Sequence, residues 1–369
     1  MLSSRAIVLS GHDLARSMRF PGLHNSFLVI RQRIRSEVAI LNSKFNLYPK
    51  LAMIEVGHLN ESALYVEHKR KFALQCGIEL AHVKLPSHCT KASVRSILFM
   101  VSPTHPFTLF QLLELVHRFN MDPTVHGIML QLPFDSDNNL DVTCPLHAIV
   151  ANKDVEGLGF INTALLSREN VLCPDCEGLK HHRIHIPCTA AACFAFIRHV
   201  NFPLKGAHCV VIGRGRLVGA PTADLLVGPG CATVTQCHVH SRNLAEEISR
   251  ADLVVAGTGC PELIKGKWIK PGALVLDCGY TVVPDPRDPS KTRSVGDVQF
   301  EEACNRAGWI TPVPGGVGPV NIAMLFRNTL NSARWTVGLD SMVCRCTSTG
   351  CHSVVYENAR LGDKHFFSP

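Results

Sequence analysis

The stretch VVIGRGRLVG, residues 210–219, decides the fold of this chain. Aliphatic residues run straight into Gly213, Gly215 and Gly219, and APTADLLV follows with a helical pattern. Such glycines let backbone approach a pyrophosphate, and the N-terminus of the next helix favours its negative charge. The spacing here is G-x-G-x-x-x-G, one residue longer than the usual dinucleotide fingerprint, so flanking strands have to support it. They do. AHCVVIG (207–213) leads into the turn, and ATVTQCH (232–238), DLVVAGTG (252–259) and ALVLDCG (273–279) read as successive strands, with AACFAFIRHV as a helix before them. That alternation predicts a doubly wound, Rossmann-type domain.

Upstream the alternation repeats. Residues 28–46 read as a helix with Val29, Ile30, Ile34, Val38 and Ile40 as apolar positions, and KLAMIEVG (50–57) as a buried strand. A helix carrying SALYVEHKRK (62–71) follows, closed by Gly77. IELAHVKLP (78–86) and VHGIMLQLP (125–133) are further strands, with a Leu- and Phe-rich helix near 107–119 between them. AIVLSG (6–11) has the look of a first strand. The expected fold class is therefore α/β, with two domains.

The end of the second Rossmann strand selects the cofactor. An Asp or Glu there holds the ribose hydroxyl of NAD. This chain instead reads Cys237-His238-Val239-His240-Ser241-Arg242, with no acid. Arg214 in the glycine turn, with Ser241 or Arg242, suits a 2′-phosphate, because guanidinium donors match phosphate in pairs. NADP is the expected cofactor.

Composition narrows the class further. Of 369 residues, 46% are hydrophobic and 18% charged, as in an ordinary soluble globular protein, and no apolar run is long enough to span a membrane. The net charge of +7 is dispersed, which suits a small anionic ligand and argues against nucleic acid. Sixteen cysteines lie mostly singly in apolar segments, and no secretory signal is evident, so free thiols in a reducing compartment are expected. The cytoplasm is the expected location. The opening MLSSRAIVLSGHDLARSMRF, rich in Arg and Ser with one acid, also suits a mitochondrial presequence.

TPVPGGVGP (311–319) makes the reading specific. Three prolines and three glycines form a stiff, side-chain-poor loop on which a flat ligand can lie. Taken in order with YVEHKRK, VHGIMLQLP, KDVEG (153–157) and VIGRGRLVG, it closely resembles the bifunctional methylenetetrahydrofolate dehydrogenase/methenyltetrahydrofolate cyclohydrolase family, from about residue 50 to 335.

The resemblance implies roles. Tyr65 corresponds to the tyrosine that stacks on the folate ring system, Lys69 to the lysine that moves protons in the cyclohydrolase step, and Gln131 to its hydrogen-bonding partner. Positions i and i+4 share a helix face, so Tyr65 and Lys69 can serve one space. Ser62, Glu156, Pro314, Gly315 and Gly316 are the implied substrate contacts, and Gly213, Arg214, Gly215 and Gly219, with Ser241 and Arg242, the cofactor contacts. The implied division is a folate-binding domain at 1–188, completed by a returning helix at 320–335, a Rossmann domain at 189–319, and an extension of unassigned role at 336–369. A homodimer is implied by resemblance alone.

Three positions depart from the family pattern. Glu156 stands where the family usually has Asp, one methylene shorter; Val320-Asn321 replaces the usual Met-Thr; and Val239 replaces a Ser or Arg near the 2′-phosphate. These changes keep an alternative in view: a paralogue that binds folate or nucleotide but has lost one or both activities. Cys173, Cys176, His181, His182 and His185, and in the tail Cys344, Cys346, Cys351 and His352, offer zinc-type donors without a recognised spacing, so no metal site is expected. His238 reads as a packing or cofactor-contact residue.

Overall fold

The computed structural model describes residues 5–11, 26–57, 60–87, 89–90, 107–136, 141–168, 183–228, 230–286, 288–339 and 341. Its two main sheets are both parallel. The strand Lys50–Val56 is buried from Leu51 onward and lies between Glu79–Leu85 and Gly127–Gln131. A strand covered on both faces reads as an unbroken apolar run, which is why LAMI carries no alternation. The helices Ser26–Phe45, Asn60–Cys76 and Leu109–Met121 accompany this sheet. On the first of them Ile30, Ile34, Val38 and Leu41 are buried, whereas Ile40 is exposed. The 3.6-residue period selects Leu41 over Ile40 as the core position.

The second sheet has six strands in the order Thr233–Cys237, His208–Ile212, Leu253–Ala256, Leu274–Asp277, Trp309–Ile310, Ile7–Val8. His208–Ile212 has its successors on opposite sides, so the turn after Ile212 sits where the winding reverses. In such sheets that crevice is the ligand site. The sheet edge brings a surprise. Within the segment 6–11 only Ile7–Val8 forms a strand, and it pairs with Trp309–Ile310 in the second sheet, although the sequence division grouped it with residues 1–188. Strand propensity is local, whereas the choice of partner is set 300 residues away. An antiparallel hairpin, Thr281–Asp285 with Asp288–Val295, extends from the Leu274–Asp277 strand.

The helix Val317–Thr336 starts in the proline-glycine loop and returns to the first unit, as expected. Phe326 stacks on Phe72 with centroids 5.2 Å apart, and Arg334 forms an ion pair with Glu37. Its polar residues are buried too. Asn328 Nδ2 donates to the carbonyls of Val155 (2.9 Å) and Ile186 (3.1 Å), and Ser332 Oγ donates to the carbonyl of Asn152 (2.7 Å). Leaving such donors unpaired in the core would cost about 1–3 kcal/mol each. These bonds fix the KDVEG segment against the helix. No described helix is long and apolar enough to cross a membrane.

Candidate active site

The KDVEG loop is held by its first two residues so that its fourth can face the cleft. Lys153 Nζ donates to the carbonyls of Phe119, Asn120 and Asp122 at 2.7–2.9 Å, closing the C-terminal end of the Leu109–Met121 helix. That end carries the negative pole of the helix dipole, where a cation is favoured. The Asp154 carboxylate accepts from the backbone N–H groups of Leu158 and Gly159 and from Asn162 Nδ2. With both anchors made, Glu156 lines a cavity of about 370 Å³ together with Tyr65, Lys69 and Gln131.

Lys69 and Gln131 meet inside this cavity. Lys69 Nζ donates to Gln131 Oε1 at 2.6 Å, and Lys69 is only 8% exposed. Burial pulls the lysine pKa down, against the opposing charge of Glu156. Burial likewise pushes the Glu156 carboxyl up to about 7, against the opposing pull of Lys69. Desolvation outweighs mutual attraction at both groups, so Lys69 releases its proton more readily than a surface lysine and Glu156 holds its own more tightly than a surface carboxylate. Tyr65 lies one turn before Lys69, and its phenol is pushed up to about 12, chiefly by burial. Gly318 approaches so closely that a Cβ there would lie 2.9 Å from the Tyr65 hydroxyl. The proline-glycine loop thus admits the tyrosine by lacking a side chain.

A second cavity, of about 130 Å³, adjoins the first, and Tyr65, Thr189, Cys278, Tyr280 and Asn321 line both. Pro314, Gly315 and Gly316 line this smaller cavity and not the one holding Lys69. The peptide bonds Leu132–Pro133 and Val313–Pro314 are both cis, and both prolines or their neighbours border the cleft. Ser62 lies in the Asn60–Cys76 helix, but its side chain falls outside those described.

The glycine turn has the shape a pyrophosphate needs. Gly213 has φ +105°, and a Cβ there would meet the Gly257 carbonyl at 2.3 Å, so only glycine fits. At Gly219 a Cβ would lie 2.0 Å from the Gly213 carbonyl, while Gly215 faces open space. The helix Gly219–Val227 has no side-chain cap on its N-terminus, so the positive end of its dipole faces the turn; the Ala220 N–H already donates to the Gly215 carbonyl, and Pro221 has no N–H. Arg214 and Arg242 are exposed around the same crevice. Ser241 is less free: its Oγ accepts the His238 N–H at 2.9 Å, within the turn after Cys237. His238 Nδ1 in turn accepts from His240 N–H at 3.0 Å, consistent with a packing role. Val239 is 91% exposed.

Sequence reasoning missed Tyr280, Cys278 and Thr189, all in the shared wall. Tyr280 belonged to no motif, and only the path of the strand Leu274–Asp277 carries it beside Tyr65. Of the metal-type donors, Cys173, Cys176, His181, His182 and the tail group lie outside the described residues. His185 is fully buried, stacked on Trp335 with Nε2 2.8 Å from Ser332 Oγ.

A buried lysine–glutamine pair, a partly desolvated carboxylate and a nucleotide crevice sharing one cleft define a two-domain α/β dehydrogenase-type protein with a second, proton-moving site. Comparison with known proteins makes the class specific. Residues 28–156 match the tetrahydrofolate dehydrogenase/cyclohydrolase catalytic domain and residues 187–337 the NAD(P)-binding domain of the same family. A bifunctional FolD protein of Gluconacetobacter diazotrophicus is 40% identical over 309 residues, covering 84% of this chain and 88% of that protein. A human cytoplasmic C-1-tetrahydrofolate synthase is 40% identical over 306 residues, 83% of this chain. The chain spans 30% of the length of that relative. A Trypanosoma brucei methylenetetrahydrofolate dehydrogenase-cyclohydrolase, solved with NADP and an inhibitor, superposes with a TM-score of 0.75 at 33% identity, covering 90% of this chain and 99% of that one. The chain belongs to the tetrahydrofolate dehydrogenase/cyclohydrolase family.

Proposed function

We propose that this chain oxidises 5,10-methylenetetrahydrofolate to the methenyl compound with NADP and hydrolyses that product to 10-formyltetrahydrofolate. The observation that carries the reading is the buried Lys69–Gln131 pair, beside Tyr65 and Glu156, in a cavity that shares a wall with the one under the proline-glycine loop. NADP, when bound, supplies the hydride acceptor. The chain's own residues do the rest. Tyr65 offers a face to the pterin, and ionised Glu156 accepts hydrogen bonds from its amino and ring N–H groups. Lone-pair donation within the substrate drives hydride loss, so this step needs positioning and no base.

Hydrolysis needs a proton acceptor. Neutral Lys69, its amine oriented by donation to Gln131, takes a proton from water as the oxygen adds to the methenyl carbon. The resulting ammonium returns that proton to N5 as its bond to carbon breaks, and the hydroxyl on that carbon gives up its own proton to solvent as the formyl carbonyl forms on N10. Arg214 and Arg242 are the proposed holders of the 2′-phosphate. Ser241 is a further member of that set: its oxygen accepts the His238 N–H, and its O–H is a separate donor.

The domain division at 1–188, 189–319 and 336–369 stands as proposed, with the strand Ile7–Val8 crossing it. We further propose a homodimer, to be checked by light scattering. The cytoplasm suits the free thiols at Cys76, Cys188, Cys193 and Cys209. The function is tested by absorbance on purified protein, with 5,10-methylenetetrahydrofolate and either NADP or NAD, and separately by decay of the methenyl compound. Turnover with NADP and accelerated decay are expected. Binding without turnover would make the chain a folate-binding paralogue.

A further inference from the structure

Tyr280 has no role in the chemistry above, yet it stands at the centre of the cleft. It follows the strand Leu274–Asp277 and opens the hairpin formed with Asp288–Val295. Its ring centroid is 5.3 Å from that of Tyr65 and the two planes meet at 84°. Its hydroxyl accepts a hydrogen bond from Ser294 Oγ at 3.0 Å, tying the ring to the far strand of the hairpin. It lines both cavities, whereas Lys69 and Gln131 line only the larger and Pro314 only the smaller.

Two perpendicular rings make a corner. A flat ligand laid on the face of Tyr65 lies at right angles to Tyr280, the edge-to-face arrangement that aromatic quadrupoles favour. Stacking on Tyr65 fixes the height of the ligand but leaves it free to slide in its own plane. Tyr280 stops that slide, and it does so at the wall between the two cavities, where substrate and cofactor must meet. We propose that Tyr280 is a positioning residue for hydride transfer, seating the substrate so that its one-carbon bridge faces the nicotinamide. This rests on the folate reading and adds an asymmetry to it. Hydride transfer needs reacting atoms held near 3–3.5 Å, so it is sensitive to slide. Hydrolysis relies on a water molecule and on Lys69 in the larger cavity, and tolerates more.

The test compares the full chain with Tyr280→Leu and Tyr280→Phe. Three quantities are read: NADP-dependent oxidation, methenyl decay, and calorimetric binding of 5-formyltetrahydrofolate, a reduced folate that does not react. Tyr280→Leu should lower the kcat of oxidation about tenfold or more while methenyl decay falls by less than about threefold. Tyr280→Phe keeps the ring and loses only the Ser294 bond, so it should recover most of the lost oxidation. Equal losses in both activities, or no loss in either, would overturn the proposal. Should Tyr280→Leu fail to fold, Tyr280→Val removes the ring in the same way and carries the same test, with a fall in the ratio of oxidation to hydrolysis expected and an unchanged ratio overturning it. If the unaltered chain binds 5-formyltetrahydrofolate but turns nothing over, the proposed activity fails on its own. Tyr280→Leu must then weaken that binding, and an unchanged affinity would overturn the inference. If the unaltered chain binds no reduced folate, both readings fall.

Discussion

Replacing Gln131 with Leu removes the acceptor of the Lys69 hydrogen bond while keeping most of the side-chain volume. The bond is short, 2.6 Å, and lies in a cavity wall where Lys69 is 8% exposed. As Lys69 takes the proton from water it becomes an ammonium, and the bond to Gln131 becomes charge-assisted. Hydrogen bonds to charged groups contribute about 1.5–3 kcal/mol net. Losing that stabilisation where the charge develops should slow methenyl hydrolysis roughly 10- to 160-fold. Oxidation does not charge Lys69, so it should change far less. Gln131→Glu gives the opposite electrostatic change: a carboxylate beside Lys69 holds it protonated, and hydrolysis should fall further still. The assay follows methenyl absorbance at saturating substrate, with NADP-linked oxidation measured in parallel. Hydrolysis within about threefold of the unaltered chain for Gln131→Leu would refute the proton-transfer role of the pair.

Three other outcomes follow from the geometry. Burial raises the Glu156 carboxyl from 4.5 to about 7, and its ionised form accepts the pterin's donors, so KM for the folate should fall as pH rises through 7; Glu156→Gln should flatten that dependence in a steady-state pH series. Arg214→Ala should raise KM for NADP much more than KM for NAD, since only NADP carries the 2′-phosphate; an equal rise would remove Arg214 from that site. Burial holds the imidazoles of His126 and His185 near 4, below the ordinary 6.5. The unfolded chain then binds protons first, so their contribution is intact above pH 6.5 and is lost as pH falls toward 4. Each accounts for up to about 3 kcal/mol, and denaturant titrations across that window should show the loss.

Much of this was legible in the chain, and for identifiable reasons. The two runs of strand–helix alternation, the glycine turn and the Lys69 helix are local patterns, and local patterns survive being read one window at a time. The NADP preference came from a missing acid after Cys237, again a local fact. What escaped were placements set by distant segments. Pro314–Gly316 were expected among the substrate contacts, and only the turn of the loop shows which of the two adjoining cavities they border. Ser241 was expected beside a phosphate, and the bond its oxygen accepts from the His238 N–H was not visible in the sequence. The hairpin Thr281–Val295 carried no periodic signal, so Tyr280 could not be seen approaching Tyr65. The thiols of Cys193 and Cys278, 3.5 Å apart, come from segments 85 residues apart and share no motif.

The pairing of Ile7–Val8 with Trp309–Ile310 has a consequence for how the chain is made. The first strand leaves the ribosome early, but its partner is 302 positions later. At about 5–20 residues per second, that is a wait of roughly 15–60 s, far longer than hydrophobic collapse takes. During that interval the first unit can form its own sheet, since Lys50–Val56, Glu79–Leu85 and Gly127–Gln131 lie within one another's reach. The opening strand cannot join them without leaving its later place empty. Closing the second sheet is therefore a late event in biogenesis, and it brings Gly11 to the finished cleft, where its N–H meets the carbonyl of Gly315.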